Sequence, residues 1–299
     1  MQVIVRVPAT SANLGPGFDC LGLALDLWNE TSFSLTGQGL SINVEGEGEG
    51  KLSLDHSNLI VQAAQHYYSF VGQELPTDIT IHCQNHIPLS SGLGSSAAAV
   101  LTGLLGANAL AGNLLSQEEV LNLAIELEGH PDNVAPALHG GLSLSAPDGK
   151  ANISKQINVH PFQIAIVLPE VKLSTQDARN ALPPSVGMSD AVFNLSHTTL
   201  TVEALRNGDL ELLSQAMQDR LHQPYRLPLI PGAAEAIQAA QNTGAAAALS
   251  GAGPSVIAFA EGNVDAVAER MQSAFTDKGI ASRKFTLGIA AKGATIKQT

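Results

Sequence analysis

Between residues 52 and 149 the chain has neither lysine nor arginine. A phosphate held by this stretch must be met by backbone N–H groups, a helix N-terminus or a metal ion. Cysteine is nearly absent too. Cys20 and Cys83 are the only two in 299 residues, which excludes a disulfide framework and favours a reducing compartment. Charged residues are only 14% and hydrophobic residues 44% of the chain, which excludes a disordered chain and suggests a compact globular one. Lysine and arginine number 15 against 27 acidic residues, a net charge of −12. That balance argues against a nucleic-acid partner and leaves an anionic substrate in need of a local clamp. No apolar run reaches membrane-spanning length, and Met1–Arg6 does not read as a signal peptide. The expectation is a cytoplasmic protein with no membrane partner.

The length fits two domains or one large one, and the turn cluster Pro147–Lys150 suggests a boundary, giving 1–150 and 151–299. Strands are expected at Val3–Val7, Ile79–Cys83 and Ile164–Leu168, and a hairpin from Thr31–Leu35 and Leu40–Val44. Pro8–Gly17 reads as a loop. Helical spacing covers Asn58–Phe70, Ala97–Leu110 and, after the capping box Ser116–Glu119, a segment to about Glu128. Strands and helices mix without a βαβ repeat, so the fold class is α+β rather than a doubly wound sheet.

The segment Pro88-Leu89-Ser90-Ser91-Gly92-Leu93-Gly94-Ser95-Ser96-Ala97-Ala98 has the make-up of a phosphate loop. Its glycines let the backbone approach a ligand closely, its serines are placed to cap a helix, and an apolar helix follows. It lacks the Gly-Lys-Ser/Thr end of a P-loop and does not fit the dinucleotide pattern. A Gly-Ser turn capping a buried helix explains the loop alone equally well.

Two further segments stand out, Pro8-Ala9-Thr10-Ser11-Ala12-Asn13-Leu14-Gly15-Pro16-Gly17-Phe18-Asp19 and Ala248-Leu249-Ser250-Gly251-Ala252-Gly253-Pro254-Ser255. In order and spacing the three segments resemble the GHMP superfamily of small-molecule kinases. Within it, the first segment, the block Glu128–Ala137 and the pair Thr175 and Arg179 resemble the homoserine kinase family. The resemblance spans essentially the whole chain. It implies an N-terminal domain like the second domain of ribosomal protein S5, a ferredoxin-like C-terminal domain and an active site between them. It also implies two ligands, ATP and L-homoserine, with Mg2+ as cofactor and a homodimer as one possible assembly. The product, O-phospho-L-homoserine, would feed threonine synthesis.

By that resemblance Asn13 and Asp19 hold the amino-acid end of the substrate, and Arg179 and Arg226 grip its carboxylate, a pairing that suits the planar guanidinium. Thr175 contacts the substrate or positions Arg179. Asp132 sits nearest the reacting hydroxyl. Residues Pro88 to Ala98 wrap the triphosphate, Asn58 serves the adenine or ribose, and Ser250, Gly251, Ala252 and Gly253 close on the transferred phosphate. Ser96 and Glu126 are the expected metal ligands, Glu128 being set aside because two residues along a helix it would face elsewhere. Two routes stay open for the hydroxyl proton, to Asp132 or to a phosphate oxygen. Two rival readings are a superfamily kinase acting on mevalonate, a sugar or shikimate, and a non-catalytic metabolite sensor. The first motif has no lysine, which speaks against the mevalonate case. Retention of Ser96, Glu126 and Asp132 speaks against the sensor.

Overall fold

The structure is a computed structural model that describes residues 2–148 and 151–298. Val3, Val5 and Val7 point inward along β1 (Gln2–Ala12) and are fully buried, as the two-residue period of a strand requires. β1 does not stop at Pro8, where the sequence reads as a loop. Its pairing with β2 (Leu21–Leu35) changes register between Pro8 and Ala9, and at such a break proline's missing N–H disturbs the ladder least.

The N-terminal part continues with β3 (Ser41–Gly46), α1 (Leu59–Phe70), β4 (Ile79–Asn85), α2 (Ser95–Leu110), α3 (Gln117–Glu128), α4 (Pro131–His139), β5 (Leu142–Asp148) and β6 (Ala151–Ile157). The C-terminal part adds β7 (Gln163–Pro169), α5 (Thr175–Asn180), α6 (Met188–Asn207), α7 (Leu210–Ala216), α8 (Gln223–Arg226), α9 (Ala233–Gln241), β8 (Ala246–Leu249), β9 (Val256–Ala260), α10 (Val264–Thr276), β10 (Ser282–Leu287) and β11 (Thr295–Gln298).

The first sheet runs β11–β1–β2–β4–β3, and β5 pairs with the start of β2 and with β6. The expected hairpin of 31–35 with 40–44 does not form. β4 inserts between the two segments, antiparallel to β2 and parallel to β3. Both strands alternate: β4 buries Ile79, Ile81 and Cys83, and edge strand β3 buries Ile42 and Val44 while exposing Ser41, Asn43 and Glu45, polar outward residues that suit an edge. The sheet carries on past the turn expected to divide the chain. Residues 149 and 150 of that turn lie outside the described ones, and the change of sheet falls between Ile157 and Gln163, with β11 returning to pair β1.

The second sheet is antiparallel, β10–β7–β9–β8. β7 is buried on both faces. Ile164 and Ile166 join the large core, while Ala165 and Val167 face a smaller one beneath α9 and α10. Helix α2 is apolar on all sides and packs among α1, α3 and β1, the pattern of a helix with no solvent face. Its N-terminus is thereby held at the junction of the two halves. Among the described residues no helix is long and apolar enough to cross a membrane.

Candidate active site

Six chain segments meet around a cleft of about 440 Å3 between the two halves. β1 delivers the first motif. Beyond Ala12 the backbone turns left-handed at Asn13, Leu14 and Gly15. Asn13 Nδ2 then donates to the Gly251 carbonyl at 2.9 Å, and its Oδ1 accepts the Asp19 N–H at 3.0 Å. One buried amide therefore ties the first motif to the third, 238 residues away.

The second motif forms the floor. Ser90, Gly92 and Gly94 all have positive φ. A Cβ at Gly92 would lie 2.4 Å from the Ser250 carbonyl oxygen, and one at Gly94 would lie 2.0 Å from Thr10 Oγ1, so both positions require glycine for closeness as well as conformation. Ser95 and Ser96 do not cap α2 as expected. Gly94 is the N-cap, without a side-chain bond, and the two serines form the first turn. Ala98 makes the first intrahelical bond, to Gly94 at 2.9 Å. The N–H groups of Ser95, Ser96 and Ala97 thus have no helical acceptor and face the cleft that all three residues line. With the helix dipole behind them they form an anion site that needs no basic side chain. Pro88, Leu93 and Ala98 pack into the interior and do not line the cleft. Ser250 is also buried; its hydroxyl donates to the Gly92 carbonyl at 2.7 Å and meets the Ser11 hydroxyl at 2.9 Å, so it locks the loop while Gly251, Ala252 and Gly253 line the cleft.

The acidic residue expected as a metal ligand is not in the cleft. Glu126 is 66% exposed, and its carboxylate lies 3.8 Å from the His66 ring. Glu128 lines the cleft instead. It is the last residue of α3 and faces the start of α2, on the other side of the helix from Glu126; Gly129, with a left-handed φ of 83°, then turns the chain sharply. The Ser96 hydroxyl donates to Glu128 Oε1. Burial pushes the Glu128 pKa up, against the opposing pull of the Ser96 bond. The turn leads into α4, where the His130 ring bonds Asp132 Oδ1 at 2.7 Å. That bond pushes the His130 pKa up. Asp132 is 3% exposed yet lines the cleft. Asn133, which the sequence does not single out, accepts from the Thr10 hydroxyl at 2.8 Å.

At the far end Arg179 clasps Asp19 in a fork, Nη1 to Oδ2 at 3.0 Å and Nη2 to Oδ1 at 2.9 Å. These hydrogen bonds hold the Arg179 pKa up. Arg226 is buried, and desolvation, with Arg179 adding to it, pushes its pKa down. Both guanidinium groups lie over the Phe18 ring, at 5.7 and 5.2 Å, within cation–π range. Thr175 at the start of α5 lines the same end. A second cavity of about 380 Å3 shares Ser90, Ser95 and Ser96 with the first. Asn58, Leu89, Leu52 and Thr102 line it, and Asn58 also caps α1 by accepting from Ile60 N–H at 3.0 Å.

Comparison with known proteins identifies the family. A family model described as GHMP kinases N terminal domain matches residues 58–141, and one described as GHMP kinases C terminal matches residues 201–277. A homoserine kinase of Moorella thermoacetica is 46% identical over 279 residues, 93% of this chain and 94% of that protein. The crystal structure of homoserine kinase from Cytophaga hutchinsonii superposes with a TM-score of 0.87 at 31% identity, covering 99% of this chain and 97% of that one. A mevalonate kinase structure reaches a TM-score of 0.72 at 16% identity over 97% of this chain and 99% of its own, which is likeness of fold alone. The fold is the two-domain GHMP kinase fold, and the chain belongs to the homoserine kinase family of the GHMP kinases.

Proposed function

We propose that this chain transfers the γ-phosphoryl group of ATP to the hydroxyl of L-homoserine. The observation that carries the substrate is the cluster of Asp19, Arg179 and Arg226 at one end of the cleft, with the unpaired N–H groups of α2 at the other. A carboxylate beside two guanidinium groups answers the ammonium and carboxylate of one amino acid. Substrate binding would open the Asp19–Arg179 fork, giving Asp19 the ammonium and both arginines the carboxylate. The cavity beside Asn58 takes the nucleoside. The loop from Ser90 to Ala97 takes the triphosphate.

The donor set also suits a magnesium ion. Glu128 and the Ser96 hydroxyl form an oxygen pair beside the loop, and the Glu128 pKa is raised by burial. Mg2+ needs only one or two protein oxygens when phosphates and water complete its shell. When bound it would neutralise charge on the triphosphate, which no lysine or arginine of residues 52–149 does.

Catalysis then rests on alignment more than on a strong base. The substrate hydroxyl oxygen bonds to the γ-phosphorus as the bond to ADP breaks. Asp132 takes the hydroxyl proton, with His130 holding Oδ1 so that the other oxygen is presented. Ser250 and Gly92 keep the third motif closed on the second. The test of function is ATP consumption with L-homoserine, mevalonate, galactose, shikimate or no acceptor. Turnover with L-homoserine alone supports the reading; equal turnover with another acceptor overturns the substrate site. Asp132→Asn should slow turnover by about 10²-fold, and near-normal turnover would send the proton to a phosphate oxygen instead.

A further inference from the structure

His222 touches neither cavity, has no exposed surface, and sits behind the arginine that the function needs. Its Nε2 lies 2.8 Å from the carbonyl oxygen of Gly15 in the first motif. Its Nδ1 lies 3.3 Å from Arg226 Nη1. A carbonyl only accepts and a guanidinium only donates. The two partners therefore fix one tautomer: Nε2 carries the proton and donates to Gly15, while Nδ1 is bare and accepts from Arg226. Asp219 Oδ2, 3.6 Å from Nε2, favours the same proton position. The ring also stacks on Phe18, with centroids 5.4 Å apart and planes 28° from parallel, and Phe18 underlies both guanidinium groups.

The surroundings hold the ring in place. Asp219, itself buried, accepts the backbone N–H groups of Leu221, His222 and Gln223 at 2.9, 2.9 and 2.6 Å. It also takes the Asn194 amide at 2.6 Å, and Asn194 in turn donates to the Pro16 carbonyl at 3.0 Å. The other contacts of Arg226 are to the carbonyl oxygens of Ala178, from Nε at 3.2 Å, and Gly251, from Nη1 at 3.4 Å. Among the described residues His222 is the one side chain that is a hydrogen-bond partner of Arg226.

We propose that His222, as the neutral Nε2–H tautomer, is a positioning residue that aims Arg226 at the substrate carboxylate and registers it against the first-motif loop. Burial pushes the imidazole pKa down and keeps the ring neutral. A protonated ring would lose its acceptor and place a second cation against Arg226. The inference rests on the reading of Arg226 as a carboxylate ligand.

Two near-isosteres separate the two ends of the ring. Asparagine places an acceptor where Nδ1 stood and loses the Gly15 bond. Glutamine reaches the Nε2 position and loses the acceptor for Arg226. His222→Ala should raise the homoserine KM about tenfold, the size of one hydrogen bond to a charged group, with the ATP KM within about twofold. His222→Asn should restore most of the homoserine KM and His222→Gln should not. Equal effects of the asparagine and glutamine variants, or an ATP KM rising in step, would overturn the proposal. Arg226→Ala is measured in parallel. If it leaves the homoserine KM unchanged, the reading of Arg226 fails. If it raises that KM and His222→Ala does not, only the role of His222 fails. Imidazole 15N shifts of the wild-type enzyme give a readout independent of turnover and of variant folding. Proton on Nε2 alone at neutral pH is expected, and proton on Nδ1 or on both nitrogens contradicts the proposal.

Discussion

Exchanging Glu126 and Glu128 for glutamine, one at a time, tests which carboxylate serves the phosphate loop. The two lie two residues apart on one helix, so composition, net charge and local helix propensity change alike. Glu126 is 66% exposed and 3.8 Å from His66; an exposed pair of that kind is worth about 0–1 kcal/mol. Glu126→Gln should leave turnover within about twofold. Glu128 accepts from Ser96 and lines the cleft. Glutamine keeps the shape and the acceptor but removes the charge, so turnover should fall by about 10²–10³-fold, the range for removing a preorganised electrostatic group from a transfer site. The magnesium concentration for half-maximal rate should rise in the same variant. Stability should move the other way. Burial raises the folded pKa of Glu128, so ionising it opposes folding. Its contribution is fully present below the unfolded value of about 4.3 and is lost as pH rises through the raised folded value. Ligand-free Glu128→Gln should therefore resist urea better than wild type at pH 8, with the difference vanishing near pH 4. A slow Glu126→Gln beside a normal Glu128→Gln would refute this reasoning.

Three further outcomes follow from other parts of the molecule. Arg179→Lys loses the planar fork that holds Asp19 at 2.9 and 3.0 Å; steady-state kinetics should show a homoserine KM raised about 10–100-fold with the ATP KM nearly constant, and an unchanged homoserine KM would remove Arg179 from the site. Gly92→Ala forces a Cβ to 2.4 Å from the Ser250 carbonyl oxygen at φ +77°; it should cost about 1–3 kcal/mol in urea unfolding and lower turnover, and a silent variant would mean that the two loops are not in contact. Tyr67→Phe removes the buried bond to Asn108 Oδ1 at 2.8 Å, while Leu115 N–H still donates to that oxygen at 3.0 Å; the loss should be about 1 kcal/mol, visible as a lower urea midpoint with unchanged turnover.

Much of the fold was legible in local signals, and the site residues through the resemblance that the three motifs carry. Alternation marked the strands, the Ser116–Glu119 box opened α3 as expected, and glycines marked the loops that carry the site. Asn13, Asp19, Asp132, Thr175, Arg179 and Arg226 all line one cleft. What escaped was set by tertiary packing. Glu126 and Glu128 do face different ways on α3, as helical spacing requires, but the resemblance chose Glu126, and only the packing of α3 against α2 shows that the cleft lies on the Glu128 side. Pro8 looked like a loop because nothing in its neighbours announces a register break with β2. The partner of β3 is β4 and not β2, a long-range pairing that alternation within each strand cannot specify, since all three strands present an apolar face to the same core. His222 carries no sequence signal; its part depends on Gly15, 207 residues away. Pro88, Leu93 and Ala98 belong to the motif but serve the core beneath it.

The most direct test of the account compares L-homoserine with two acceptors that each lack one charged group, 4-hydroxybutyrate without the ammonium and 3-aminopropan-1-ol without the carboxylate. The hydroxyl and chain are kept, so only the cluster of Asp19, Arg179 and Arg226 distinguishes them. The account predicts that kcat/KM falls by about 10²-fold or more for each, as expected when a hydrogen-bonded charged group loses its partner, with the ATP KM little changed. Phosphorylation of either acceptor at a rate near that of L-homoserine would contradict it.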